Sequence, residues 1–369
     1  MSMDAGDVLP PELSQILVRL RDNAHPMPPA QLKRVLDAEW PDQWLRSFDK
    51  FNVRPIAAAS IGQVHRGQLK DGRDLAIKVQ YPGVAKSIDS DVANVGVLMR
   101  VSGLLPKGFK LAPYLEEGRK QLHEETNYKR EATQLMRFGD LLADKGRFVV
   151  PELHSDWSTP NILAMTYVAG VPIESVAEET QEIRDQIAKD LIDLTIHELF
   201  SFGVMQTDPN FANYLYQPDN QRIALLDFGA THKISPPIVQ FYHQLMLAGF
   251  SGDDLALEET IKGIGFVDEN TKDSQRKQIV HMVKLVFATL QKNRYLDFAD
   301  TKLATHLQDL AISLAKDGFI PPPLPIDVLL LQRKIGGMFL LAAKLAARVN
   351  VVSLVADRLK DTVPSYKTN

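Results

Sequence analysis

The 369-residue chain contains no cysteine. That excludes disulfides, thiolate nucleophiles and every zinc site that needs a Cys ligand, and it accords with a reducing compartment. Charge of one sign is not in excess either. Forty-two Lys+Arg stand against 46 Asp+Glu, a formal charge of −4. A general nucleic-acid binder carries a basic surplus, so no nucleic-acid partner is expected. Long hydrophobic runs are missing. The most apolar stretch, Ile335 to Ala343, is bounded by Arg333 and Lys334 on one side and Lys344 on the other. It falls short of the roughly 20 residues that cross a bilayer. Nine histidines are present but form no HExxH pair, which argues against a transition-metal centre. The first residues include Asp4, Asp7 and Glu12, unlike an Arg-rich, acid-poor presequence. An organellar address would lie outside this chain.

What is present suffices for a folded protein of two or three units. Hydrophobic residues make up 45% of the chain. Residues 1–50 read as a helical extension. Leu13, Ile16, Leu17 and Leu20 share one face, and a second helix follows Pro28-Pro29 through Leu32 and Leu36. From Phe51 the pattern turns to strands. Ile61 to Gln68 and the alternating Leu75 to Gln80 flank a hairpin turn at Asp71-Gly72. Helices are expected over 87–104 and 114–142, then strands at Phe148 to Val150 and Asn161 to Val168. Past Gly170 the chain is mainly helical. Ile183, Ile187, Leu191 and Leu194 mark a helix that Gly203 stops, and two short strands lie at Tyr214 to Tyr216 and Ile223 to Leu226. Ser235-Pro236 reads as a helix start. The expected organisation is therefore α+β: a helical extension (1–50), a small α/β lobe (51–170) and a helical lobe (171–369).

Three local patterns carry chemistry. Lys78 sits in a strand between apolar neighbours, within Leu75-Ala-Ile-Lys78. A strand disfavours lysine, and burial demands an anionic partner. The pattern matches the kinase Val-Ala-Ile-Lys string, whose lysine reaches nucleotide phosphates and pairs with a helix glutamate; alone it would read as an edge lysine. Asp208 and Asn213 have the Asp-x4-Asn spacing of a kinase catalytic loop. Asp227-Phe228-Gly229 follows an apolar strand, and hard oxygen donors of this kind suit magnesium. In this order the three point to nucleotide–magnesium chemistry. The lysine's partner is sought among Glu116, Glu117, Glu124, Glu125 and Glu131, between which spacing does not choose. A contact pair is worth roughly 4 kcal/mol at an effective dielectric of about 20, before desolvation.

Two further absences qualify this. No GxGxxG precedes Lys78; the chain reads Ala57-Ala58-Ala59-Ser60-Ile61-Gly62 instead. Only Ala230 to Ile234 separate Gly229 from Ser235-Pro236, and no Ala-Pro-Glu follows. A phosphosite and peptide platform have no room there, which disfavours a protein substrate.

Together the strings Pro55 to His65, Ala76 to Val84, Ser87 to Asp91, Tyr128 to Ala132, Met205 to Asn210 and Leu225 to Ala230 closely resemble the UbiB family of atypical kinase-like proteins, in its mitochondrial coenzyme Q branch. The resemblance implies a protein-kinase-like bilobal fold with MgATP between the lobes and Gly170 near the hinge. It implies that Lys78 binds phosphate with Glu125 as its helix partner, that Asp208 is catalytic, and that Asn213 and Asp227 ligate Mg2+. Ala57, Ala58, Ala59 and Ser60 would form the family's alanine-rich nucleotide loop, with Met165 and Val168 also at the nucleotide. The implied activity is that of an ATPase or atypical kinase supporting coenzyme Q biosynthesis at the matrix face of the mitochondrial inner membrane. Its implied partners are coenzyme Q biosynthesis proteins or lipid precursors.

Two departures stand out. The family's Lys-x-Gly-Gln motif has no counterpart, since neither Gly62-Gln63 nor Gly67-Gln68 has a lysine two residues ahead. The chain is expected to be truncated just after that motif or to lack it. The family's Glu-x-Asp reads Glu125-Thr126-Asn127, which removes a charge. Two competing readings remain: a small-molecule kinase of the aminoglycoside or choline type, and a nucleotide-gated scaffold without turnover. The apolar-rich segment from Val328 to Leu359, with its interspersed Arg333, Lys334, Lys344 and Arg348, fits packing inside the helical lobe better than peripheral contact with an anionic bilayer.

Overall fold

The computed structural model describes residues 27–59, 61–101, 111–292 and 294–361. The expected helix around Leu13 to Leu20, and Ser60, lie outside the described residues. The chain forms two compact units. The first runs to Ile173 and takes in Ala212–Thr231; the second comprises Glu174–Phe211 and the chain from His232 onward. The division is thus not contiguous, because the segment carrying Asn213 and Asp227 belongs with the first unit.

In the first unit the strands are β1 (Phe48–Phe51), β2 (Ala57–Ala59), β3 (Gly62–Leu69), β4 (Asp74–Gln80), β5 (Phe148–Val149), β6 (Ile162–Thr166), β7 (Val171–Pro172), β8 (Tyr214–Gln217) and β9 (Arg222–Leu225). Its helices are α1 (Pro29–Glu39), α2 (Val84–Val101), α3 (Ala112–Glu125) and α4 (Tyr128–Leu141). A five-stranded antiparallel sheet has the order β1-β3-β4-β6, with β2 also on β3. The second sheet, β5-β9-β8-β7, brings the returning segment back onto this unit. Gly170 lies so close to that segment that a β-carbon there would stand 2.9 Å from both Leu215 Cβ and Tyr216 O.

Alternation in β4 sets up both faces of the large sheet. Leu75, Ile77 and Val79 are fully buried and share a cluster with Leu32 and Leu36 of α1, Trp40, Trp44 and Phe48. The helix after Pro28-Pro29 is therefore part of this core rather than a separate extension. Short isolated helices are marginal in water, and this one is held by aromatic packing. The Trp40 ring lies 5.0 Å from both Trp44 and Trp157, and its Nε1–H donates to Trp157 O at 3.1 Å. The opposite face of β4 carries Ala76 and Lys78, also buried; Ile61, Leu163 and Tyr128 of α4 cluster on that side. Gln63 is structural here. Its Oε1 accepts Met27 N–H at 2.7 Å, and its Nε2 lies 2.7 Å from His65 Nε2.

The expected single helix over 114–142 is two helices. The break falls at Asn127, whose Oδ1 accepts Arg130 N–H at 3.0 Å and so caps α4. The side chain read as a lost charge is an N-cap, a role in which Asn and Asp are nearly equivalent.

The second unit is helical. Helix α5 (Gln181–His197) continues into a π-helical turn, Glu198–Phe202, and ends at Gly203 with φ 61°. Then follow α6 (Pro236–Ser251), α7 (Asp254–Ile264), α8 (Asp273–Lys292), α9 (Lys302–Lys316), α10 (Ile326–Lys344) and α11 (Val351–Asp361). A two-stranded ribbon pairs β10 (Leu296–Asp297) with β11 (Arg348–Val349). Val328 and Leu331 of α10 join a core built from Met205, Ile238, Leu257 and Ile261. The Val328 to Leu359 segment therefore packs within the unit, and no helix among the described residues is long and apolar enough to cross a membrane.

Because Trp40 joins three aromatic neighbours and a hydrogen bond, Trp40→Ala is expected to lower stability by about 3–5 kcal/mol. Urea unfolding followed by circular dichroism measures this; a loss under about 1 kcal/mol would show that α1 and the aromatic cluster do not hold the sheet.

Candidate functional site

The site in the first unit is built by three segments. β4 delivers Lys78 and α4 delivers Glu131. The short exit from β9 delivers Asp227. Lys78 Nζ lies 2.6 Å from Glu131 Oε1 and 2.8 Å from Asp227 Oδ2. The Lys78 and Glu131 side chains are nearly inaccessible, at 6% and 3% of full exposure, whereas Asp227 keeps 31%. Two groups are thus sealed and the third faces outward. The Tyr128 ring covers the ammonium at 5.9 Å from its centroid.

Electrostatics follow from this arrangement. Burial works against the charged form of Lys78, yet the fields of Asp227 and Glu131 outweigh it and lift its pKa well above the usual lysine range. Burial pushes Glu131 up to about 7, opposed by the Lys78 ammonium and reinforced by Asp227. Asp227 is also penalised by burial, but Lys78 and the Gly229 N–H hold its pKa below the ordinary value. That N–H donates to Asp227 Oδ1 at 2.9 Å. Breaking such a buried pair by removing one partner leaves an uncompensated charge, typically at a cost of about 3–5 kcal/mol.

The loop beyond Asp227 is fixed by α4. Arg130 Nη1 donates to Gly229 O at 2.7 Å, and Nη2 donates to Thr231 O. Phe228 is buried, its ring 5.0 Å from Phe138 of the same helix. Asn213 is tied to the Asp227 strand through its backbone, Leu226 N–H donating to Asn213 O at 3.0 Å. A partly exposed carboxylate next to a segment bearing an amide offers the few hard oxygens that Mg2+ takes while keeping its waters.

The helix partner of Lys78 is Glu131, not Glu125, which the resemblance had pointed to. Glu125 is the last residue of α3, and the Asn127 cap starts a new helix whose first turn carries Glu131 inward. Spacing included Glu131 among five acids but did not reveal the helix break. Tyr128 and Arg130 were missed as site residues; the local signal is Asn127, a favoured N-cap residue, while Arg130 stands where a capping box would have Glu or Gln. Of the expected nucleotide residues, Ala57, Ala58 and Ala59 form β2, paired to β3 through Ala57–Val64, Ala58–Gln63 and Ala59–Gly62. The three alanines thus form an edge strand of the large sheet. Met165 is buried on β6 opposite Ala76, and Val168 follows that strand.

Asp208 belongs to the second unit. Its Oδ1 accepts from Arg333 Nη2 at 3.0 Å, and both side chains are about one-third exposed. Among the described residues, no group of three or more His, Cys, Asp or Glu forms a metal-binding cluster.

A buried strand lysine paired to a helix glutamate, with a Phe-packed Asp-Phe-Gly turn nearby, defines a kinase-like arrangement. The chain belongs to the ABC1 atypical kinase-like family, the UbiB family of the sequence reading; that domain matches residues 19–261. Relatives include the atypical kinase coq-8, mitochondrial, of Caenorhabditis elegans, 36% identical over 95% of this chain and 47% of the relative. The atypical kinase COQ8, mitochondrial, of Saccharomyces cerevisiae is 34% identical over 96% and 71%. The chain thus spans about half the length of the nematode relative. A solved structure, the Rv3197–erythromycin complex from Mycobacterium tuberculosis, matches with a TM-score of 0.70 and 26% identity, covering 98% of this chain and 90% of that one.

The raised pKa of Glu131 has a consequence for stability. Its pKa lies above that of an unfolded glutamate, so the folded state holds more protons between about pH 4.5 and 7, and this group's contribution falls as pH rises through that window. Comparing wild type with Glu131→Gln by urea unfolding, the wild-type stability relative to the variant is expected to decline from pH 5 to 7, with a slope of at most about 1.4 kcal/mol per pH unit. A difference that stays constant or grows with pH would contradict the described burial.

Proposed function

We propose that this protein is an atypical kinase-fold ATPase that binds MgATP and supports coenzyme Q biosynthesis. The observation that carries the reading is the Lys78–Glu131–Asp227 constellation on a kinase-like fold. In this reading Lys78 contacts the nucleotide phosphates, with Glu131 holding its ammonium in place. Asp227 and Asn213 ligate Mg2+. Ala57, Ala58 and Ala59 of β2, together with Ser60, Met165 and Val168, contact the nucleotide. Magnesium neutralises phosphate charge when bound, and Asp208 orients or deprotonates the attacking hydroxyl or water.

The link to coenzyme Q is supported by the family membership, by relatives named as mitochondrial COQ8 atypical kinases, and by the long shared strings. It carries with it the matrix face of the inner membrane as location, and biosynthetic proteins or lipid precursors as partners. The short interval from Ala230 to Ile234 favours an acceptor other than a protein: water, or a small or lipid hydroxyl. The same feature supports the second reading, a small-molecule kinase. A scaffold without turnover need not keep Lys78, Asp208, Asn213 and Asp227 together, and their presence speaks against it.

Asp208→Asn is expected to lower phosphate release by about a hundredfold or more while MgATP binding persists. Unchanged turnover would remove Asp208 from the chemistry. Asp227→Asn is expected to shift the Mg2+ dependence of ATP binding by at least about tenfold, read by calorimetry; an unaltered magnesium titration would remove the metal role. Labelled ATP offered with soluble alcohols and with quinone-like phenols in vesicles separates the two acceptor classes.

A further inference from the structure

Helix α10 carries more than core residues. Arg333 donates to Asp208 Oδ1 at 3.0 Å. The next residue, Lys334, is 1% exposed; its Nζ donates to Gln206 Oε1 at 3.1 Å and lies 3.7 Å from Glu198 Oε2. Glu198, on the π-helical turn, accepts Gln206 N–H through Oε1 at 3.1 Å. Gly337 faces Pro209 so closely that a β-carbon there would stand 2.1 Å from Pro209 Cβ. Near the start of the helix, Asp327 accepts Ser235 N–H at 2.8 Å and lies 2.8 Å from His232 Nε2. Residues 327, 334 and 337 recur at helical spacing, with Arg333 four residues before Gly337. Two segments, Gln206 to Pro209 and His232 to Ser235, are therefore seated on one helix. They flank the stretch that returns to the first unit.

We infer that α10 is the positioning element of the Asp208 loop and that Arg333 aims the Asp208 carboxylate. The inference rests on the reading of Asp208 given above. Arginine suits this task because its guanidinium keeps its charge and donates in fixed directions, so holding Oδ1 restricts the carboxylate plane. The Lys334–Glu198–Gln206 group fixes the short strand Val204–Gln206, which leads into Asp208. The missing side chain at Gly337 lets Pro209, the residue after Asp208, approach the helix. Arg333 acts through Asp208 and is a positioning residue.

The test uses the full chain and measures phosphate release together with MgATP affinity by calorimetry. Arg333→Ala is expected to lower kcat between about tenfold and a hundredfold, since small misplacements of a reacting group cost that much. MgATP affinity is expected to stay within about twofold, because Arg333 lies outside the Lys78 site. Arg333→Lys is expected to recover part of kcat. Gly337→Ala is expected to lower kcat in the same way while circular dichroism remains that of wild type. The decisive comparison is made in the Asp208→Asn background, where Arg333→Ala is expected to cause no further loss. A full further loss there would mean that Arg333 acts on the phosphate itself and would overturn the inference. Unchanged kcat in Arg333→Ala, with Asp208→Asn impaired, would also overturn it while leaving the functional reading intact. Wild-type turnover in Asp208→Asn would overturn the functional reading and this inference with it. If Arg333→Ala does not fold, Arg333→Gln carries the same comparison.

Discussion

One buried ammonium organises the first unit. Lys78 stands in the middle of a sheet whose other face is a dense apolar cluster, and Glu131 and Asp227 make its charge tolerable. Each local feature of the surroundings serves that requirement. The Asn127 cap starts α4 at the point that turns Glu131 inward, and Tyr128 covers the ammonium. Arg130 holds the backbone beyond Asp227. Taking charges out of water costs several kcal/mol per ion, so such a group is weak as a device for stability. In the proposed reading, its sense lies in holding a fixed positive charge beside a partly exposed carboxylate, the pair that a magnesium-bound phosphate would meet.

Much of this was legible in the sequence because it rests on short-range rules. Alternation marked β4, and the Asp71-Gly72 turn marked its hairpin. An apolar run followed by Asp-Phe-Gly marked the strand that delivers Asp227. Lys78 stood out because a lysine flanked by buried apolar neighbours requires a partner. Which glutamate meets it was not legible. That choice depends on a helix break at Asn127, and a favoured cap residue permits a helix start without fixing that one falls there. The assignment of Ala212–Thr231 to the first unit was also out of reach, since the β7–β8 and β5–β9 pairings join segments distant in sequence.

The carboxy-terminal helices show the same limit from the other side. Arg333, Lys334 and Lys344 interrupting an apolar run left bilayer contact as the lesser alternative to packing inside the helical lobe, without naming partners for the charges. Lys334 is in fact buried against Glu198, and Arg333 meets Asp208. Periodicity shows which residues share a face, but not that a charged pair on that face has partners more than a hundred residues earlier. Nothing local in Gln206-Thr-Asp208-Pro announces its bed on α10.

The central claim is that the Lys78 constellation is a nucleotide–magnesium site. Calorimetric titration of ATP into the wild-type chain and into Lys78→Met, each with Mg2+ and with chelator, tests it most directly. The account expects saturable, Mg2+-dependent binding to wild type and its loss in the folded variant. Undiminished binding to Lys78→Met, or wild-type binding indifferent to magnesium, would contradict it.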